Sequence, residues 1–224
     1  MKKTKMIAVR LLAAAGLAVG LGAGLAGPAQ AATTFTISPG GAWSGTGSAA
    51  SIRDAVSNQV TQCSGLAVAG SFKSGKGLSG TNIGALTSIA LTGCAVHGVT
   101  VTITVHTSAA NPAPMNLTGE FPAGSGTFTG QAANVSLTLD DANGCHAEVG
   151  AKTINGGGPG VAGFTYNSTG AQFSFGAGIH GLFVQSATPQ CSSGTYHGLR
   201  VQQFERIDLG GSAGISPAQR ISSP

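Results

Sequence analysis

Apolar and polar residues alternate along most of the chain, in short runs separated by glycine-rich turns. In residues 99–106, valine or isoleucine occupies every odd position and threonine or histidine every even one. Residues 134–140 repeat this pattern, with Val135, Leu137 and Leu139 on one face. Such a period of two is typical of strands with one buried face. Beyond residue 32 we find no convincing helical repeat over ten or more residues, so we predict a sheet protein.

Further runs of the same kind predict about a dozen short strands in all. Turn signals such as Asn143-Gly144 and residues 155–160 separate them, because glycine and asparagine tolerate the positive φ of tight turns. This spacing predicts an all-β fold, either an antiparallel β-sandwich or a barrel-like closed sheet. Residues 52–60 fit one helical turn or a loop. The other predicted strands are 34–38, 66–72, 86–91, 117–121, 127–131, 146–153, 164–166, 173–175, 181–186 and 199–204.

The predicted β domain spans residues 32–209. A second interpretation divides it into two similar halves, 32–107 and 115–209, because glycine, serine and threonine recur in a similar order in both. Residues 210–224 contain few apolar side chains, so we predict a flexible C-terminal tail.

Residues 1–31 have the pattern of a secretory signal peptide. A lysine-rich start precedes an apolar stretch, and Ala29 and Ala31 supply the small residues that a signal peptidase requires. We expect cleavage after Ala31, with an uncleaved membrane anchor as the alternative. The mature protein is therefore predicted to be extracellular or associated with the cell wall, without a transmembrane anchor.

The net charge of +4 comes from the leader. Four of the 11 basic residues lie in the first ten positions, which leaves seven basic and seven acidic residues from position 32 onward. The mature chain has no basic cluster, so the sequence disfavours nucleic acid as a partner.

Four cysteines in an exported chain predict disulfide bonds. Three pairings are possible, and we favour Cys63 with Cys94 and Cys145 with Cys191, because each closes a local loop. Zinc binding is the competing interpretation, but the spacings are wide and no C-x-x-C motif occurs. No cofactor is predicted.

The glycine-, serine- and threonine-rich run 70–94, together with residues 35–41 and Gly144-Cys145, resembles a group of secreted actinobacterial proteins of unknown function. The resemblance covers most of the mature chain. It implies export, β architecture and paired cysteines, and it supplies no catalytic or binding residues.

Few residues suggest chemistry. The G-x-S-x-G match at 210–214 is expected by chance in so glycine-rich a chain. His146 and Glu148 fall on one face of a strand, where they would supply two metal ligands, a base with its orienting acid or, by default, a surface ion pair. We predict no catalytic residues.

Two weak candidates for binding remain. Asp140, Asp141 and Asn143 place oxygen ligands on one turn, and with Glu148 they form a partial calcium shell, although a turn stabilised by its own side chains is favoured. Trp43 is a candidate ligand platform, although a core position is favoured.

These observations predict an exported, non-catalytic β-protein of the extracellular space or cell envelope. Low charge and hydroxyl-rich strand faces favour contact with polysaccharide or self-association. A secreted hydrolase is the alternative, followed by an oligomeric β-barrel pore, which the alternation at 99–105 suggests.

Overall fold

Antiparallel strands make up most of the described chain, which comprises residues 33–151, 159–192 and 198–224 of a computed structural model. The side chains of residues 177–180 and 192 are excluded, and the predicted signal peptide lies outside the described residues. A short 3-10 helix spans Pro189–Ser192. The fifteen strands are β1 Thr34–Ser38, β2 Gly41–Gly47, β3 Ala50–Asp54, β4 Val60–Phe72, β5 Gly75–Ser79, β6 Gly84–Val96, β7 Val99–Val105, β8 Ala113–Glu120, β9 Thr127–Val135, β10 Leu137–Asp141, β11 His146–Gly150, β12 Gly160–Asn167, β13 Gln172–Ala187, β14 Arg206–Ser216 and β15 Arg220–Ser222.

Twelve of these strands form one sheet that closes on itself. The long strands β4, β6, β13 and β14 each span the height of the barrel wall without interruption. The other positions are filled by pairs of short strands lying end to end, namely β2 with β3, β7 with β8, β9 with β10, and β11 with β12. The wall thus consists of eight antiparallel segments, each paired with the next in sequence. The last segment, β14, pairs with β2 and β3 and closes the barrel. The predicted all-β, barrel-like antiparallel fold is confirmed.

The barrel interior is filled by side chains. Trp43 stacks on Phe72, with ring centroids 5.8 Å apart, and lies 5.5 Å from Phe173. Phe173 in turn stacks on Phe164 at 4.9 Å. These rings belong to a single hydrophobic cluster, which residues at alternate positions of the wall strands continue. An eight-segment barrel has an interior just wide enough for side chains to fill in this way.

A three-stranded sheet of β15, β1 and β5 lies at the end of the barrel where β2 begins. Phe35 of β1 is buried and meets Phe128 of β9 edge to face. Gln219 is also buried, and its backbone exchanges two hydrogen bonds with the Tyr166 hydroxyl. Burial raises the pKa of this tyrosine above its ordinary value. The small sheet is therefore fixed to the barrel by both apolar and polar contacts.

The other end is covered by residues 198–205, which we call the plug segment. Leu199 and Val201 are buried there. The Gln59 side chain bonds the plug at two places, donating to the Gly198 carbonyl oxygen at 3.0 Å and accepting from the Arg200 amide. The strand predicted at 199–204 is therefore wrong, because these apolar residues close the barrel end instead of joining the sheet.

Both predicted disulfides are confirmed. Cys63 and Cys94 face each other on β4 and β6, with Cα atoms 3.9 Å apart. Cys145 precedes β11 and bonds to Cys191, which follows β13. Each bond joins the start of one wall segment to the end of the next.

The predicted C-terminal tail is wrong. Residues 210–216 complete β14, whose Ala213 and Ile215 are buried, and β15 follows in the small sheet. Short apolar residues suffice here because the strand pairs with β13 on one side and with β2 and β3 on the other. The described residues from 33 to 224 form one compact unit.

Candidate functional site: a groove at the barrel waist

Three neighbouring wall segments are interrupted at the same height. The break between β7 and β8 covers residues 106–112, that between β9 and β10 falls at Ser136, and in the third segment β11 ends at Gly150 and β12 begins at Gly160. The His106 amide donates a hydrogen bond of 2.9 Å to the Ser136 carbonyl oxygen across two of these breaks. The aligned breaks form a concave site on the outer wall, which we call the waist groove.

The waist groove has a volume of about 240 Å³ and a predominantly polar lining. The Glu148 carboxylate and the His106 imidazole are both exposed there. The segment formed by β9 and β10 also contributes two hydroxyl groups, those of Ser136 and Thr138. The lining residues are His106, Ser136, Leu137, Thr138, Glu148, Val149, Pro159 and Gln185.

Strand register positions these side chains. Thr104 of β7 lies opposite Thr138 of β10, which lies opposite Glu148 of β11. Glu148 faces Ser186 of β13, whose hydroxyl donates a hydrogen bond of 3.1 Å to the carboxylate. A continuous polar row therefore crosses four segments beside the groove.

A second polar row runs parallel to the first. Thr102 lies opposite Asp140, which lies opposite His146. The His146 ring nitrogen Nδ1 is 2.6 Å from an Asp140 carboxylate oxygen. Both side chains are about half exposed, so this contact is a surface pair. His146 thus pairs with Asp140, and Glu148 accepts its hydrogen bond from Ser186.

Asp141 has a structural role. Its carboxylate accepts hydrogen bonds from the backbone amides of Asn143 at 2.9 Å and Cys145 at 3.0 Å. It also accepts one of 3.0 Å from the Leu199 amide in the plug segment. The turn at 141–145 is therefore stabilised by its own side chain. Among the described residues, no group of three or more His, Cys, Asp and Glu side chains is arranged to hold a metal ion.

Trp43 lies in the core, only 3% exposed, and offers no exposed face for a ligand. Ser212, the serine of the G-x-S-x-G match, lies within β14 and bonds to the Ser174 hydroxyl at 2.7 Å on the neighbouring strand. The strand continues beyond it to Ser216, so the strand-turn-helix geometry of a hydrolase nucleophile is not formed there.

The sequence did not identify His106, Thr138 and Gln185 as parts of one site. Alternation places the first two on the outer face, but the groove depends on breaks in segments that are distant in sequence. The Gln185 side chain is oriented by a hydrogen bond of 3.2 Å to the Ala151 carbonyl oxygen, at the edge of one of these breaks.

The opposite wall has a different character. A shallow depression of about 400 Å³ lies there, lined by serine, threonine, alanine, glycine and one valine of β2, β4, β6 and the end of β14. The lining residues there include no charged side chain. The two concave sites on the outer wall therefore differ in chemistry.

Comparison of the chain with models of protein families, with curated proteins and with solved structures finds no match. In the described part of the chain, no helix is both long enough and apolar enough to span a membrane.

Proposed function

We propose that this protein is exported and binds a neutral, hydroxyl-rich polysaccharide of the cell envelope through the waist groove. The observation that carries this proposal is the clustering of a carboxylate, an imidazole, an amide and two hydroxyl groups in one groove of the outer wall. These groups offer both donors and acceptors to sugar hydroxyls.

Three further features support this proposal. The filled interior leaves no room for a ligand among the core rings, so binding is assigned to the outer wall. The mature chain is close to neutral, which matches an uncharged polymer better than nucleic acid or an anionic surface. Two disulfides are compatible with an oxidising compartment.

The test is binding of the mature protein to polysaccharide purified from the producing cell wall. Glu148→Gln and Thr138→Val each change a hydrogen-bonding group of the groove with little change of volume. We expect each variant to bind about tenfold more weakly, which corresponds to one lost hydrogen bond. Thr46→Val on the opposite wall is the matched control and should bind like the unaltered protein.

The proposal is contradicted if both groove variants bind normally, or if Thr46→Val alone weakens binding. The second result would assign the polysaccharide to the uncharged wall instead.

A second candidate function is hydrolysis of the same polymer. His106 and Glu148 line one groove, and an imidazole beside a carboxylate is the pair that general acid–base catalysis uses. Incubating the protein with the polysaccharide and measuring new reducing ends tests this function. Activity that Glu148→Gln abolishes would make the protein an enzyme, whereas binding without cleavage supports the proposed binding role.

A further inference from the structure

Asp54 places a buried carboxylate at the end of β3, beside the plug segment. The side chain is 3% exposed. Its Oδ1 accepts hydrogen bonds from the amides of Val56 at 2.7 Å and Ser57 at 2.9 Å. Its Oδ2 is also buried and has no partner under standard hydrogen-bond geometry among the described residues. A buried oxygen of this kind is costly unless another group satisfies it.

Glu205, the last residue of the plug segment, supplies that group. Its side chain lies within hydrogen-bonding reach of the Asp54 carboxylate. Its Oε2 also accepts a hydrogen bond of 2.6 Å from the Gln202 amide. The backbones hold the two acids together, because the Ala55 amide donates to the Arg206 carbonyl oxygen at 2.9 Å.

Two of the neighbouring cations are engaged elsewhere. Arg53 bonds to the Asn58 side chain, and Arg206 lies 3.1 Å from Asp208. Arg200, on the plug segment itself, is exposed. Two ionised carboxylates within hydrogen-bonding reach of each other repel. A proton between them is therefore the simplest way to give both side chains a hydrogen-bond partner.

The plug segment also contains a strained residue. Phe204 has φ of +70°, a region that bulky side chains rarely adopt, and its side chain is 43% exposed. Two hydrogen bonds to β13 hold it there. The Phe204 amide donates to the Val184 carbonyl oxygen at 2.8 Å, and the Val184 amide donates to the Glu205 carbonyl oxygen at 2.9 Å. The plug is therefore fixed in a conformation that it would relax from if released.

We propose that Asp54 and Glu205 share one proton that latches the plug segment to the barrel, and that loss of this proton as the pH rises loosens that end of the barrel. In the latched state the Glu205 O–H donates to Asp54. In the loosened state that proton has passed to a solvent base, and both carboxylates are ionised. The latch does not depend on the function proposed for the waist groove.

The direction of the pH effect follows from the raised pKa of Glu205. Burial, followed by the contact with Asp54, raises the pKa of Glu205 to about 7. A raised folded-state pKa means that the folded form binds the proton more tightly than the unfolded form. The stabilisation is therefore fully present below the ordinary glutamate pKa and is lost as the pH rises through about 7.

Amide hydrogen exchange of the full mature protein tests the latch. The reporters are the amides of Leu199, Arg200 and Gln202, each of which has a side-chain acceptor. After correction for intrinsic exchange rates, we expect their protection to fall at least tenfold between pH 5.5 and 8.5. In Glu205→Gln, whose amide donates to Asp54 without titrating, the protection should stay constant within about twofold.

Asp54→Asn is the second variant, because it retains the acceptor for Val56 and Ser57 and donates its own amide to Glu205. It too should remove the pH dependence. Glu120→Gln, at the opposite end of the barrel, is the control and should keep the dependence of the unaltered protein. An equal fall in protection in Glu205→Gln and the unaltered protein would overturn the proposal. Restoration of protection at pH 8.5 by calcium would overturn it as well, by showing that the pair holds a cation.

Discussion

Single polar side chains hold the loops of this protein by bonding to backbone groups. Asp141 and Gln59 each fix the plug segment, and Gln219 fixes the turn before β15. In each case a side chain supplies the hydrogen bond that a neighbouring strand would otherwise supply. The backbone groups of the loop are therefore hydrogen-bonded although the loop is not part of the sheet. A chain with only 8% charged residues is held by such bonds more than by ion pairs.

The neighbouring residues Asp140 and Asp141 allow a direct test of this role. Asp141→Ala removes the acceptor of three backbone amides, two of them in buried bonds, so we expect a loss of about 3 kcal/mol or more in the free energy of unfolding. Asp140→Ala removes only a surface contact with His146 and should cost less than about 1 kcal/mol. Urea denaturation of both variants measures the difference. Equal losses would contradict the structural role of Asp141.

Gly70 makes room for the central aromatic ring. A Cβ atom added there would lie 2.6 Å from the Trp43 ring and 2.5 Å from the Ala85 carbonyl oxygen. Gly214, in contrast, has open space around the same position. We therefore expect Gly70→Ala to lower the free energy of unfolding by about 1–3 kcal/mol and Gly214→Ala to leave it nearly unchanged. Thermal unfolding of the two variants checks this, and a stable Gly70→Ala protein would show that the ring can shift.

At this scale the sequence predicted local partners better than distant ones. The cysteine pairing follows from loop length, and it is confirmed because the four cysteines fall at matching ends of neighbouring segments. The contacts of Gln59 with residues 198–200 span more than a hundred positions in the sequence, and no local sequence pattern predicts them.

Among the elements, the strands with a clear period of two were predicted best. Residues 99–105 form β7, with Val101 and Ile103 buried and the threonines outward. The apolar face of this strand therefore meets the barrel core. Residues 134–140 were predicted as one strand, but Ser136 divides them between β9 and β10.

The glycine-rich strands were missed. In β2, Gly45 and Gly47 lie against the backbone of β14, where a methyl group would collide with the carbonyl oxygens of Gly214 and Ser212. The same composition made residues 210–216 resemble a tail. Here glycine allows close packing of two strands. In the sequence, a glycine with this role looks the same as a glycine in a flexible loop.

Deletion of residues 210–224 tests the role of this closing strand. The deletion removes most of β14 and all of β15, leaving β2 and β13 with unpaired edges. We expect the shortened protein to lose cooperative unfolding and to aggregate. Deletion of residues 223–224 alone, beyond the last strand, should leave the transition unchanged. A folded protein ending at residue 209 would show that the barrel does not need its last strand.

In the whole molecule, the wall divides into two runs of four consecutive segments. The first run ends with β8 and the second begins with β9. In each run a disulfide joins the start of the second segment to the end of the third. Each of the two halves proposed from composition, 32–107 and 115–209, contains one of these disulfides, and their similarity stays a prediction.

The two sides of the barrel differ in chemistry, and this contrast carries the functional proposal. The waist groove combines His106, Glu148 and Gln185 with hydroxyl groups, whereas the depression on the opposite wall is lined by small uncharged side chains. A ligand that needs directional hydrogen bonds should prefer the first side.

Mapping amide chemical shifts by NMR tests this central claim most directly. The mature protein is titrated with soluble neutral polysaccharide fragments released from purified cell wall. The account predicts that shifts concentrate at Thr104, His106, Thr138, Glu148 and Gln185, and that Glu148→Gln reduces them. Shifts confined to the outward residues of β2, β4 and β14 would contradict it, as would a spectrum that saturating fragments leave unchanged.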